Sequence, residues 1–240
     1  MPLRRIRTAL ITGGGRGLGA EIGSLLAERG VAVGITSRSA TDLEATCDRL
    51  RTSGSTCVWR QCDAAVPESV AEALTGIVHD LGSVDLLVNN AGGWVRGTLE
   101  ATDPGQFRAL VEACVLGTFN FCFATIPYMK AAGGGFILNI GSTAGVEWFP
   151  GSAAAGAPKA AVCDLSRRLR QEVAEHGIRV ALLNPARIGK WSAAEELESR
   201  RCGARFLSLS HRQVAAIALF MIDQPENVAI TELSVVPTGA

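Results

Sequence analysis

TALITGGGRGLGAEIGSLL, residues 8–26, decides the fold. A short apolar run leads into glycines, and the glycines lead into a segment with Leu18, Ile22, Leu25 and Leu26 three and four residues apart. The first part reads as a buried strand and the last as an amphipathic helix. Between them Thr12, Gly13, Arg16, Gly17, Leu18 and Gly19 form a loop at the mouth of the helix. Glycines at 13, 17 and 19 permit a tight turn and close backbone approach. The helix N-terminus then offers free N–H groups and a positive dipole end to a pyrophosphate. Many turns are glycine-rich, so the weight of the motif lies in the order strand, loop, helix.

The same alternation runs outward along the chain. Apolar strand candidates lie at 8–12, 31–36, 56–60, 84–89, 135–140, 179–184 and 232–236. Helical periodicity occupies 17–29, 41–53, 67–81, 104–131, 153–176 and 211–223. Val66-Pro67 and Asp103-Pro104 mark two helix starts, with proline in the first turn. A βαβα order predicts an α/β fold: one doubly wound parallel sheet of about seven strands with helices on both faces. One domain, 1–240, is expected at this length. The segment 186–210 fits no core element and is expected to be an excursion over the sheet edge, the place for a substrate lid.

The composition, 48% hydrophobic with 27 glycines, suits strands buried on both faces. Formal net charge is zero, which leaves no basic field for nucleic acid. Arg4, Arg5 and Arg7 read as a solvated lead-in to the first strand. No apolar run has signal-peptide or membrane-spanning character, so a cytoplasmic protein with no membrane partner is expected. The seven cysteines (47, 57, 62, 114, 122, 163 and 202) lack CxxC spacing and read as buried free thiols. His79, His176 and His211 form no ligand pattern, and no metal site is expected.

Further motifs extend the pattern. Residues 139–159 read NIGSTAGVEWFPGSAAAGAPK, Asn89-Asn90-Ala91-Gly92 closes the fourth strand, Asp63 sits in QCDAA, and Asn184-Pro185 ends the sixth strand. With the glycine loop, these resemble the short-chain dehydrogenase/reductase family from about residue 7 to residue 237. The resemblance implies a Rossmann fold and a nicotinamide dinucleotide. It places Thr12 through Gly19 on the pyrophosphate, Asp63 near the adenine, and Asn90, Ala91 and Gly92 on the adenine-ribose side. Pro185 and Ile188 fall beside the nicotinamide. The family serine and lysine fall on Ser142 and Lys159. The family's proton-donating tyrosine falls on Ala155, and its relay-anchoring asparagine on Cys114. The only tyrosine of the chain, Tyr128, lies outside the motif. The threonine usual beyond the proline turn is also missing, with Ile188, Gly189 and Lys190 in its region.

The second strand ends in Thr36-Ser37-Arg38 with no carboxylate for the ribose hydroxyls. Arg38 with Arg16 would bracket a 2′-phosphate, which favours NADP(H) over NAD(H). The alternative is that both are ordinary surface charges. Trp94, Trp148 and Trp191 follow strand ends and point to a flat, aromatic or polycyclic small-molecule substrate, or else to packing against a second subunit. Arg96, Glu147, Arg187 and Lys190 share those loops and are the candidate replacement acids or bases. Lys159 either holds the nicotinamide ribose or acts as an acid in an apolar pocket. Three functions stay open: an oxidoreductase with its acid supplied elsewhere, a non-redox enzyme (cyclase, dehydratase or isomerase), and a silent subunit or scaffold. The resemblance implies a homodimer or homotetramer built on helices 104–131 and 153–176.

Overall fold

The structure, a computed structural model, describes residues 6–148, 151–189 and 208–238. Seven strands form one sheet: β1 (Thr8–Thr12), β2 (Ala32–Ser37), β3 (Cys57–Gln61), β4 (Leu86–Asn89), β5 (Gly135–Ile140), β6 (Ile178–Pro185) and β7 (Glu232–Val235). Every pairing is parallel, and the spatial order is β3-β2-β1-β4-β5-β6-β7. The chain builds outward from β1 to β3, then returns and builds the other way from β4. That reversal opens a crevice beyond the carboxyl ends of β1 and β4, where such sheets take their ligands.

Strand side chains alternate between the faces, and the core divides accordingly. Ala9, Ile11, Leu86 and Val88 face one side, with α1 (Gly17–Ala27), α2 (Ala40–Thr52) and α7 (His211–Ile222). Leu10, Leu87 and Ile137 face the other, with α3 (Pro67–Leu81) and the inner faces of α5 (Gly117–Ala131) and α6 (Ala153–Val173). A smaller third cluster joins Val95, Leu110, Cys114, Ala154, Ala155, Val162, Cys163 and Leu182.

Local chemistry sets the helix ends. The Ser39 hydroxyl accepts from Asp42 N–H and caps α2. The Asp103 carboxylate accepts from Gln106 N–H at the start of α4 (Pro104–Val111), with Pro104 in the first turn. The helix read as continuous over 104–131 is interrupted. Glu112–Leu116 form a π turn in which Gly117 N–H reaches back five residues to the Glu112 carbonyl. The extra residue in that turn carries Cys114 into the interior. Pro104–Ala131 is long and apolar enough to cross a membrane, yet Phe121, Cys122, Thr125 and Met129 are buried against the fold, as in a core helix.

Most of the predicted lid, residues 190–207 with Lys190 and Trp191, lies outside the described residues. Its two flanks meet: Gly189 N–H donates to Leu209 O and Leu209 N–H to Arg187 O, both at 2.9 Å. All six described cysteines are free and buried. Burial pushes the Cys122 thiol up to about 12, and raises Cys62 and Cys163 as well.

Candidate active site

The loop after β1 turns into α1 and forms one wall of the crevice. Gly19 packs so tightly that a Cβ there would come within 2.5 Å of the Gly13 carbonyl and 2.6 Å of Asn90 Nδ2. Asn90 Nδ2 donates to the carbonyls of Thr12 (3.1 Å) and Gly13 (3.2 Å). The Thr12 hydroxyl in turn accepts from the backbone N–H groups of Asn90 (3.0 Å) and Ala91 (2.9 Å). Thr12 and Asn90 are therefore spent on holding the two loops together, which leaves the start of α1 bare and fixed in shape. Such a cradle fits a dinucleotide: the positions a side chain would fill are glycine, and the helix N-terminus faces the gap.

A cleft of about 620 Å³ opens along this wall. Thr12, Gly13, Arg16 and Gly17 line it, then Ser37 and Arg38 at the end of β2, Asp63 after β3, and Asn90, Ala91 and Gly92 after β4. Arg16 and Arg38 are exposed, and neither forms an ion pair among the described residues. Asp63 is turned on its own loop, with Oδ1 accepting from Ala65 N–H at 3.0 Å. Asp42, which sequence reasoning passed over, also lines the cleft from the first turn of α2, as do Cys62 and Glu112.

The other half of the site lies at the ends of β5 and β6. Ser142 follows β5, and its hydroxyl accepts from Ala144 N–H at 3.2 Å. Lys159 is only 7% exposed, and its ammonium donates to the Ile140 carbonyl at 3.1 Å. The short turn Thr143–Gly145 and the start of α6 are pressed together, which sets the separation of these two residues. A Cβ on Gly156 would stand 2.5 Å from Ala144 O, and one on Gly145 would stand 2.8 Å from the Lys159 carbonyl carbon. Pro158 occupies the helical position before Lys159 and has no N–H to return to the preceding turn.

Ala155 is 1% exposed and belongs to the third apolar cluster beside Cys114. From the π turn, the Cys114 thiol reaches Gly92: its sulfur lies 2.8 Å from where a Gly92 Cβ would sit, and Lys159 Nζ lies 3.6 Å from the same point. Cys114 and Lys159 thus converge on the end of the Asn89–Gly92 stretch. Behind them runs a buried polar chain that sequence reasoning did not find. Asn89 Nδ2 donates to Asn139 Oδ1 (2.9 Å), Asn139 Nδ2 to the Ser166 hydroxyl (2.8 Å), and that hydroxyl to Val162 O (2.6 Å). It ties β4, β5 and α6 together at the depth of the lysine.

The remaining predicted residues sit outward. Trp148 is 97% exposed and Trp94 is half-exposed. Glu147 and Arg96 are exposed on the same loops. Arg187 is partly buried on the loop after β6, beside Ile188, whose backbone bridges to Leu209.

A family model described as short chain dehydrogenase matches residues 7–200. The short-chain reductase protein NovJ of Streptomyces niveus is 30% identical over 223 residues, covering 93% of this chain and 84% of that protein. Trans-4-hydroxycyclohexanecarboxylate dehydrogenase of Sinomonas cyclohexanicum is 33% identical over 188 residues, covering 76% and 72%. Among solved structures, a metagenomic short-chain oxidoreductase in complex with NADP superposes with a TM-score of 0.81 at 29% identity, covering 97% of each chain.

Proposed function

Because this chain belongs to the short-chain dehydrogenase/reductase family, we propose that it is an atypical NADP(H)-binding oxidoreductase acting on a flat, partly aromatic small molecule. The observation that carries the reading is the intact cradle flanked by two guanidiniums, Arg16 and Arg38, with no acidic partner among the described residues. Free guanidiniums at that end suit a 2′-phosphate, which they can grip through paired N–H donors. The NADP complex of the metagenomic relative supports the same choice.

A bound nicotinamide supplies or accepts hydride at the far end of the crevice. There the Ser142 hydroxyl orients the substrate oxygen. Lys159 has three donors and gives one to Ile140 O, so two remain for ribose hydroxyls. Ala155 supplies no proton. A positioned acid is worth about 10²–10⁴-fold in rate, so the proton comes from the substrate or from a group on the outer loops. Trp94 and Trp148 on those loops offer broad apolar faces to the substrate.

The burial of Ala155 beside Cys114 favours a second reading, in which the pocket serves non-redox chemistry. Purified protein with NADPH and a panel of aromatic and polycyclic ketones separates the two. Substrate-dependent loss of the reduced-cofactor absorbance supports the oxidoreductase. Substrate conversion without it moves the assignment to the second reading.

An exposed apolar face supports a reading of assembly. Leu116, Phe119 and Phe123 are exposed in one stripe on α5 and the turn before it, with the two rings stacked at 6.2 Å, and exposed Ala153, Ala157 and Ala160 line α6. We propose a homodimer or homotetramer closed by this self-complementary face. Light scattering at micromolar concentration is expected to give at least twice the chain mass, and a monomer would refute it.

A further inference from the structure

The His211 imidazole stands where two glycine turns meet. His211 Nε2 lies 3.5 Å from where a Cβ on Gly17 would sit and 3.9 Å from the same place on Gly189. Gly17 opens α1 at the cradle with φ +58°, and Gly189 follows β6 with φ +98°. Both angles disfavour any side chain, so the ring faces two stretches of bare backbone.

The position of His211 is held by its neighbours and not by its ring. Leu209 pairs with the backbone on both sides of Ile188. The Ser210 hydroxyl accepts from Gln213 N–H, and Ser210 N–H donates to Gln213 Oε1, which completes a capping box on α7. The Arg212 guanidinium pairs with Glu21 at 3.1 Å and Glu28 at 3.6 Å, both at α1. Val214, Ala215 and Ala218 are buried in the cluster that contains Leu18 and Ile22. Among the described residues the imidazole itself caps nothing and makes no hydrogen bond or ion pair. It is half-buried at the junction of the two loops that flank the cradle. Residues 186–189, the described stretch after β6, carry no hydroxyl.

We infer that His211 is a ligand of the cofactor's diphosphate, donating a ring N–H to a phosphate oxygen held at the start of α1. Resting on the dinucleotide reading above, this adds a side-chain ligand to a cradle otherwise made of backbone. The histidine would grip the diphosphate alone, while Arg16 and Arg38 serve the adenosine end.

Calorimetry on the full chain tests it with two probes: NADPH, which carries the diphosphate, and adenosine 2′-monophosphate, which does not. His211→Ala is expected to weaken NADPH roughly tenfold or more, the loss of one strong hydrogen bond to an anion. Adenosine 2′-monophosphate should bind as before. His211→Gln, which keeps an N–H donor, should recover part of the loss. Unchanged NADPH affinity in His211→Ala overturns the assignment. So does an equal weakening of both probes in both variants, because that pattern reports a disturbed fold. Failure of the wild type to bind NADPH or NADH would instead remove the dinucleotide reading, and this ligand with it.

Discussion

The two ends of the crevice are built from different materials. At the glycine loop, binding capacity resides in the backbone: bare glycines, a helix N-terminus, and Thr12 and Asn90 spent on bracing. At the ends of β5 and β6 it resides in side chains, Ser142 and Lys159, with Ala155 and Cys114 in a buried apolar cluster. The backbone beneath them keeps its shape, with Lys159 buried on Ile140 O and the Thr143–Gly145 turn pressed onto α6. One fold thus joins a wall built of backbone to an end furnished by side chains.

The sharpest way to break this contrast is at the backbone end. Gly19→Val places a branched side chain against the Gly13 carbonyl, where even a Cβ would come within 2.5 Å. NADPH affinity by calorimetry should fall by about 100-fold or more, roughly 2.7 kcal/mol. Near-wild-type binding would mean that the cradle is not the cofactor site.

At the side-chain end, adding an acid should raise ketone reduction. Ala155→Tyr is expected to raise reduction of simple ketones about tenfold or more, within the range of a positioned acid. Since Cys114 lies in the same buried cluster, Cys114→Asn is the natural second change, and the two should act as a unit. No gain in either variant, with NADPH still bound, would show that the reaction end has been rebuilt for other chemistry.

The smallest effect is expected where side chains tune the backbone site. Arg38→Asp removes a phosphate contact and adds a ribose acceptor at the end of β2. It should reverse the preference for NADPH over NADH, each affinity moving by about tenfold. Equal wild-type affinity for the two cofactors would sink the role given to Arg38.

The strands and helices were legible because burial writes itself into sequence as periodicity. Alternation put Ile11 and Leu10 on opposite faces, and three-and-four spacing marked α1. The glycine loop was legible because a backbone cradle demands a residue type at fixed spacing. Other features have no such signature. The π turn at Glu112–Leu116 adds one residue inside an apolar helix, and the hydrophobic pattern absorbs it. The Asn89–Asn139–Ser166 chain depends on the register that pairs Asn89 with Asn139 across β4 and β5. Asp42 lines the crevice from α2 and His211 approaches Gly17 from α7, and only the folded sheet brings them there.

The buried thiols have a consequence for how the protein can be observed. Cys57 sits on β3, Cys62 just beyond it, Cys122 on α5 and Cys163 on α6. Their pKa values are raised, that of Cys57 mainly by its hydrogen bond with Cys47 and those of the others by burial. Alkylating reagents attack the thiolate, so at neutral pH these positions should stay silent while their layer is closed. Each becomes reactive only when its own part of the molecule opens. The native chain therefore carries a ready set of unfolding reporters, and the order in which they are alkylated reads out which layer gives way first.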